Sequence, residues 1–167
     1  TFQQRFDRLD VLMCNAGVMM PPKSLSEDGF ESQMATNHYG HFLLVNLLKP
    51  LLCGTTDSRV VMLASCAAAK CTMMCQKADP TVDLDDMDWS KRKYEKDFAY
   101  GQSKLCNILV ARELSKRLEG VRAYSVHPGW IKSKLMRHML PVKFLRSAAE
   151  FVFSSTGDLL DVETGIQ

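Results

Sequence analysis

The chain has 167 residues, 46% of them hydrophobic and 24% charged, which is the balance of a globular domain with one sizeable core and excludes a disordered or fibrous chain. Twenty-one Lys and Arg against nineteen Asp and Glu leave a formal charge of +2, too small and too evenly mixed for the basic field of a nucleic-acid binder. The most apolar stretch, from Phe42 to Leu52, is broken by Asn46, Lys49 and Pro50, so no membrane span is expected in it, and the residues after Thr1 are polar, unlike a secretion signal.

In chain order, the apolar run 11–14, between Asp10 and the small pair Ala16-Gly17, predicts a strand covered on both faces in a parallel sheet. From Phe30 onward, Phe30, Met34, Phe42, Val45, Leu48 and Leu52 recur at helical spacing, with Ser24 and Ser26 as competing N-caps and Cys53-Gly54 as the stop. Residues 59–65 repeat the strand pattern and end on Ser65. Residues 70–97 exceed a simple connection: Asp79, Asp83, Asp85, Asp86 and Asp88 precede Lys91, Arg92, Lys93 and Lys96, which reads as a solvated surface insertion. A second helix carries Tyr100, Lys104, Asn107, Ala111, Leu114 and Leu118 on one stripe and ends at Gly120. Residues 121–127 form a third strand closed by Pro128-Gly129. Beyond it, Lys132, Lys134, Arg137, Lys143 and Arg146 make a basic tail suited to a helical lid or a membrane-surface patch. Strand, helix, strand, helix, strand is α/β with right-handed crossovers and a parallel sheet, and residues 1–167 read as a single domain.

Six cysteines (Cys14, Cys53, Cys66, Cys71, Cys75 and Cys106) sit mostly among apolar residues, as buried thiols do in a reducing compartment. Cys66, Cys71 and Cys75 lack the paired spacing of a zinc site, and no metal is expected. Cys66, beside Ser65, is a candidate for sensitivity to oxidation or alkylation. His127 reads as a packed strand-end residue, the Met pairs 19–20 and 73–74 as gap fillers, and Trp89 and Trp130 as loop anchors.

The most informative pattern is Tyr100-Gly101-Gln102-Ser103-Lys104, because a separation of four stacks a phenol and an ammonium on one helical face. A phenol titrates near 10 and carries protons poorly at neutral pH unless a nearby cation favours the phenolate. Both residues fall on the buried stripe, where polar groups need partners. Ser65, Cys14-Asn15-Ala16-Gly17 and His127-Pro128-Gly129 all fall at the carboxyl ends of predicted strands, where open α/β sheets bind ligands.

Taken together, Leu9 to Gly17, the run Asn37-His38-Tyr39-Gly40-His41-Phe42, Ser65, Tyr100 to Lys104 and His127-Pro128-Gly129 resemble the short-chain dehydrogenase/reductase family, in order from Leu9 to about Leu135. The insertion before Phe98-Ala99-Tyr100 and the run from Asn37 to Phe42 resemble its retinol dehydrogenase and WW-domain oxidoreductase branch. The resemblance implies a Rossmann-like doubly wound parallel sheet, here incomplete, with strands 4 to 6 of the family order. It implies that Tyr100 is the general acid or base, that Ser65 hydrogen-bonds the reacting oxygen, and that Lys104 lowers the phenol pKa and grips the nicotinamide ribose. Asn37, interrupting its helix, would hold a relay water to Lys104. Asn15, Ala16 and Gly17 would line the adenosine side of NADP or NAD, with NADP preferred, and Pro128, Gly129 and Ile131 would lie near the carboxamide. The implied substrate is a lipophilic alcohol or carbonyl compound, retinoid- or steroid-like. An intracellular protein, cytoplasmic or associated with the endoplasmic reticulum, is implied as well; a homo-oligomer stays open, as does a membrane anchor in segments the chain lacks.

Cys14 departs from the family's Asn-Asn-Ala-Gly, Ala64 from a Ser before the catalytic Ser, and Ser133 stands nearest the place of a cofactor-binding Thr. The family's Gly-rich turn after its first strand has no counterpart among the glycines here. The expectation is therefore a fragment of an oxidoreductase, itself inactive, running from Thr1 to Gln167, with strand 11–14 as an unpaired apolar edge. The alternative is a non-catalytic binding or regulatory protein that uses the half-fold as an interaction surface.

Overall fold

The computed structural model of the chain describes residues 2–69, 79–131, 135 and 159–160. Three strands, β1 (Val11–Cys14), β2 (Ser58–Leu63) and β3 (Val121–Val126), form a parallel sheet in the order β1-β2-β3. Val11 lies opposite Arg59 and Ser58 opposite Val121. Parallel neighbours need long crossovers, and helices supply both. The parallel order is the one that the succession of apolar runs predicts, and the sheet is a partial Rossmann-like one, as the resemblance implies. A short parallel pair, β4 (Trp130–Ile131) with β5 (Leu159–Leu160), stands apart from it.

The first crossover is one helix in three parts: α1 (Ser32–Met34), a π-helical turn (Ala35–Tyr39) and α2 (Gly40–Gly54). Its N-cap is Glu31, whose carboxylate accepts from the backbone N–H groups of Gln33 and Met34, and neither Ser24 nor Ser26 takes that place. Ser26 instead closes the preceding turn by accepting from the Phe30 N–H. A π turn holds more residues than an α turn, so it rotates the following helix out of phase with the preceding one. The single predicted stripe is broken accordingly: Met34, Val45 and Leu52 are buried, whereas Phe30 and Phe42 are exposed.

The second crossover ends in α3 (Lys96–Arg117), which stops at the Leu118 cap and Gly120, whose φ of +74° suits a residue without Cβ. Every member of its predicted stripe from Tyr100 to Leu118 is buried. Leu12, Cys14, Val60, Met62 and Val121 from the sheet meet Val45, Leu52, Ala111, Leu114 and Leu118 from the helices in one core. Burying each such side chain contributes about 2 kcal/mol.

Three expectations are corrected here. β1 is not covered on both faces: Leu12 and Cys14 are buried, but Val11 and Met13 are 45% and 61% exposed, because among the described residues α2 and α3 pack on one side of the sheet. The described part of the predicted insertion is not simply solvated. Asp86 and Trp89 are buried, Arg92 lies 4.0 Å over the Trp89 ring and 3.2 Å from Asp86, and Lys23 donates to the Trp89 carbonyl. Trp89 thus anchors its loop as predicted, and Met19 and Met20 are buried. His127 is exposed instead of packed, at the end of a strand whose last residues run past the helices. Cys71, Cys75, Met73, Met74, Lys132, Ser133, Lys134, Arg137, Lys143 and Arg146, and the side chains of Trp130 and Ile131, lie outside the described residues. Cys14, Cys53, Cys66 and Cys106 are thiols and not disulfides. Among the described helices none is long and apolar enough to cross a membrane.

Candidate active site

The carboxyl end of β2 faces the first turns of α3, and the predicted chemistry converges there. Ser65, two residues past β2, is the N-cap of a 3-10 turn (Cys66–Ala68) and accepts from the Ala67 N–H at 3.2 Å. That contact uses a lone pair of the hydroxyl and leaves its proton to donate. Tyr100 is 4% exposed, and side-chain hydrogen bonding with Ser65 favours its phenolate. One helical turn on, Lys104 is 5% exposed, its Nζ 5.6 Å from the centre of the Tyr100 ring and 3.0 Å from the Leu63 carbonyl oxygen, to which it donates.

Burial governs the protonation of both groups, since desolvation disfavours whichever form is charged. It pushes the Tyr100 phenol up to about 12, against the opposing Ser65 hydrogen bond and with a small upward push from Cys66. Lys104 is pulled down to about 8 by burial. Among the groups acting on the phenol, Ser65 favours the phenolate, and the Lys104 ammonium, 5.6 Å from the ring centre, donates to the Leu63 carbonyl.

Asn37 lies within the π-helical turn and is fully buried. Its Oδ1 accepts from the Val18 N–H at 2.8 Å, and its Nδ2 donates to the Val18 carbonyl and to Ser103 Oγ, each at 3.0 Å. Ser103 in turn donates to the Tyr100 carbonyl at 2.7 Å. Asn37 therefore stitches the loop after β1 to the turn of α3 that carries Tyr100. A Cβ at Gly17 would stand 3.3 Å from Asn37 Oδ1 and 3.9 Å from Lys104 Nζ, so the backbone here borders the site closely. Asn15 and Ala16 are exposed on the same loop, and Pro128 and Gly129 are half-buried after β3. Gly129 has a φ of +80°.

Sequence reasoning missed several groups that hold this arrangement. Asn107, His38 and His41 are buried beside it, and Gln33, Glu31 and Tyr94 form a second knot at the entrance to α3. Gln33 Nε2 donates to Tyr94 Oη at 2.8 Å and to the Lys96 carbonyl at 2.9 Å, while the Tyr94 hydroxyl donates to Glu31 at 3.0 Å. Arg92 donates to Gln102 at 3.0 Å, tying the insertion to the helix between Tyr100 and Lys104. The available signal was a polar residue on a buried stripe, and Asn107 carried it.

The donor set suits a dinucleotide with a ribose. Lys104 has three N–H donors, of which Leu63 takes one among the described residues, and Gly17 leaves room beside it where a side chain would intrude. The chemistry available to a ligand at this edge is proton exchange at Tyr100, a hydrogen bond from Ser65 and a cation at Lys104.

A family profile for short chain dehydrogenases matches residues 1–76. The chain is 42% identical over 158 residues to human retinol dehydrogenase 14, covering 92% of this chain and 44% of that protein. It is 43% identical over 134 residues to human retinol dehydrogenase 13, covering 79% of this chain and 38% of that one. It thus spans less than half the length of these relatives. Among solved structures, an uncharacterised protein from Mycobacterium paratuberculosis superposes with a TM-score of 0.66 at 41% identity, over 77% of this chain and 45% of the other. The 3-alpha-hydroxysteroid dehydrogenase of Pseudomonas sp. B-0831, solved with NADH, gives a TM-score of 0.64 over 96% of this chain and 74% of its own; at 18% identity it shares the fold.

Proposed function

Because the chain belongs to the short-chain dehydrogenase family and is similar to its retinol dehydrogenases, we propose that the protein interconverts an alcohol and its carbonyl compound, with Tyr100 exchanging the proton. The observation that carries this reading is the meeting of Ser65, Tyr100 and Lys104 at the carboxyl end of β2. Bound NADP or NAD would supply or accept the hydride. Lys104 would grip its nicotinamide ribose, with Asn15, Ala16 and Gly17 toward the adenosine side and Pro128 and Gly129 toward the carboxamide.

Each residue then has a task set by its surroundings. With its phenol pushed up to about 12, Tyr100 is protonated at neutral pH, which is the state a proton donor to a carbonyl oxygen requires. Ser65 donates a hydrogen bond at the same oxygen, and Asn37 keeps the Val18 loop against α3. The assembled triad favours an enzyme over a binding protein built on the same half-fold. The likeness to retinol dehydrogenases supports a lipophilic, retinoid-like substrate.

The test is reduction of a lipophilic aldehyde series by the protein as its gene encodes it, with NADPH and with NADH. Tyr100→Phe is expected to lower kcat by about a thousandfold while cofactor fluorescence still reports binding. Activity within twofold of the parent would refute the assignment of Tyr100.

A further inference from the structure

Asn107, three residues after Lys104 on α3, is fully buried and has all its polar atoms engaged. Its Nδ2 donates to the Asn37 carbonyl oxygen and to the Leu63 carbonyl oxygen, each at 3.0 Å. Two carbonyl partners identify that atom as the nitrogen, so the facing Oδ1 must accept. His38 Nδ1 stands 2.9 Å from that Oδ1 and is therefore the donor. By the same logic His41 Nδ1, 3.0 Å from the Asn37 carbonyl, carries its proton. The Leu63 carbonyl that takes one hydrogen of Asn107 is the one on which Lys104 sits, also at 3.0 Å.

We infer that Asn107 is a positioning residue for Lys104: its carboxamide, oriented by His38, spans the Leu63 carbonyl shared with the ammonium and the Asn37 carbonyl that His41 also grips. The inference rests on the oxidoreductase reading for its functional meaning, but the clamp stands on geometry alone. Lys104 and the π-helical turn are held as one body, although they come from segments about seventy residues apart. The Asn37 side chain is likewise engaged, by Val18 and Ser103.

The titratable neighbours that bear on Lys104 and Tyr100 are His41 on α2 and Cys66 on the 3-10 turn, and His38 on the π-helical turn acts on His41. Asn107→Leu removes the fork while leaving each backbone carbonyl one donor, His41 on Asn37 and Lys104 on Leu63. Asn107→Asp places a carboxylate across the shared Leu63 carbonyl from the ammonium.

The experiment combines side-chain NMR with kinetics on the protein as its gene encodes it. In the parent, nitrogen shifts of His38 and His41 are expected to show both imidazoles protonated at Nδ1. The Lys104 titration is expected to rise by about one unit or more in Asn107→Asp, as an opposite charge at short range requires. In Asn107→Leu, kcat is expected to fall by about tenfold or more with KM for the carbonyl substrate within twofold. A purely structural residue would lower the folded fraction and leave the Lys104 titration where it is. An Nε2-protonated imidazole at either position overturns the clamp without any variant, and an unmoved Lys104 titration in folded Asn107→Asp overturns the coupling. Expected tautomers and an expected titration shift in a protein inactive toward every carbonyl would retain the clamp and refute the enzyme reading instead.

Discussion

Replacing Lys104 by Met should stabilise the protein at neutral pH while destroying its proposed chemistry. The side chain is 5% exposed, and its pKa falls from 10.5 to about 8 because burial penalises the ammonium. In the unfolded chain Lys104 keeps its proton up to 10.5, whereas the folded protein releases it above about 8. Between those values the unfolded state binds more protons, so stability rises with pH across that window, and below it the folded state bears the full penalty. A shift of this size corresponds to about 3 kcal/mol. Methionine fills a similar volume without charge and forfeits one hydrogen bond, worth about 1 kcal/mol, while Asn107 keeps the Leu63 carbonyl partnered. The variant should therefore gain about 2 kcal/mol at pH 7. That gain should shrink through pH 8 to 10 and disappear or reverse at higher pH. Urea unfolding of the parent and Lys104→Met across this range measures the difference directly. A variant less stable at pH 7, or a difference that ignores pH, would refute the claim that the ammonium is held at a cost.

Other expectations follow from the same contacts. Glu31→Ala removes the cap of α1 and the acceptor of the Tyr94 hydroxyl, and should cost about 2 kcal/mol in denaturant unfolding. Gly17→Ala brings a Cβ to 3.3 Å from an Asn37 oxygen that Val18 already holds, so it should destabilise by about 1 kcal/mol and weaken cofactor binding in a fluorescence titration. Burial lowers the pKa of His38 and of His41 from the ordinary 6.5, so both stay neutral in the fold while the unfolded chain takes up protons; stability should fall as pH drops below 6.5. Unfolding measured from pH 7 to 5 should show a shallower fall in His41→Gln than in the parent.

Local rules reached the triad because its geometry is local. A spacing of four on a helix places Tyr100 beside Lys104, and a strand ending in Ser65 puts a hydroxyl at the sheet edge. What escaped them depends on contacts between distant segments. Glu31 caps the first helix, where Ser24 and Ser26 were the better candidates by residue type, because Tyr94 arrives from the insertion to share its carboxylate. The π-helical turn is invisible to a search for a 3.6-residue period, and it shifts the phase of the helix that carries the exposed Phe42, whereas Phe30 lies ahead of the Glu31 cap and outside the helix. The charge run in the insertion looked solvated because alternating signs usually are; Asp86 and Arg92 instead pair over Trp89. Cys14, a departure from the family pattern, is buried in the core with its thiol pushed up to about 11, and fills space there as a small apolar side chain.

The carbonyl of Leu63 joins residues more than forty positions away through Lys104 and Asn107, and the latter reaches a further seventy back to Asn37. None of these links can form until two long loops have closed, and each rewards only a chain whose sheet and helices are already in register. A partly folded molecule would leave the ammonium in water, away from Tyr100 and from the Leu63 carbonyl that fixes it, so the chemistry at this edge belongs to chains in which both loops have closed.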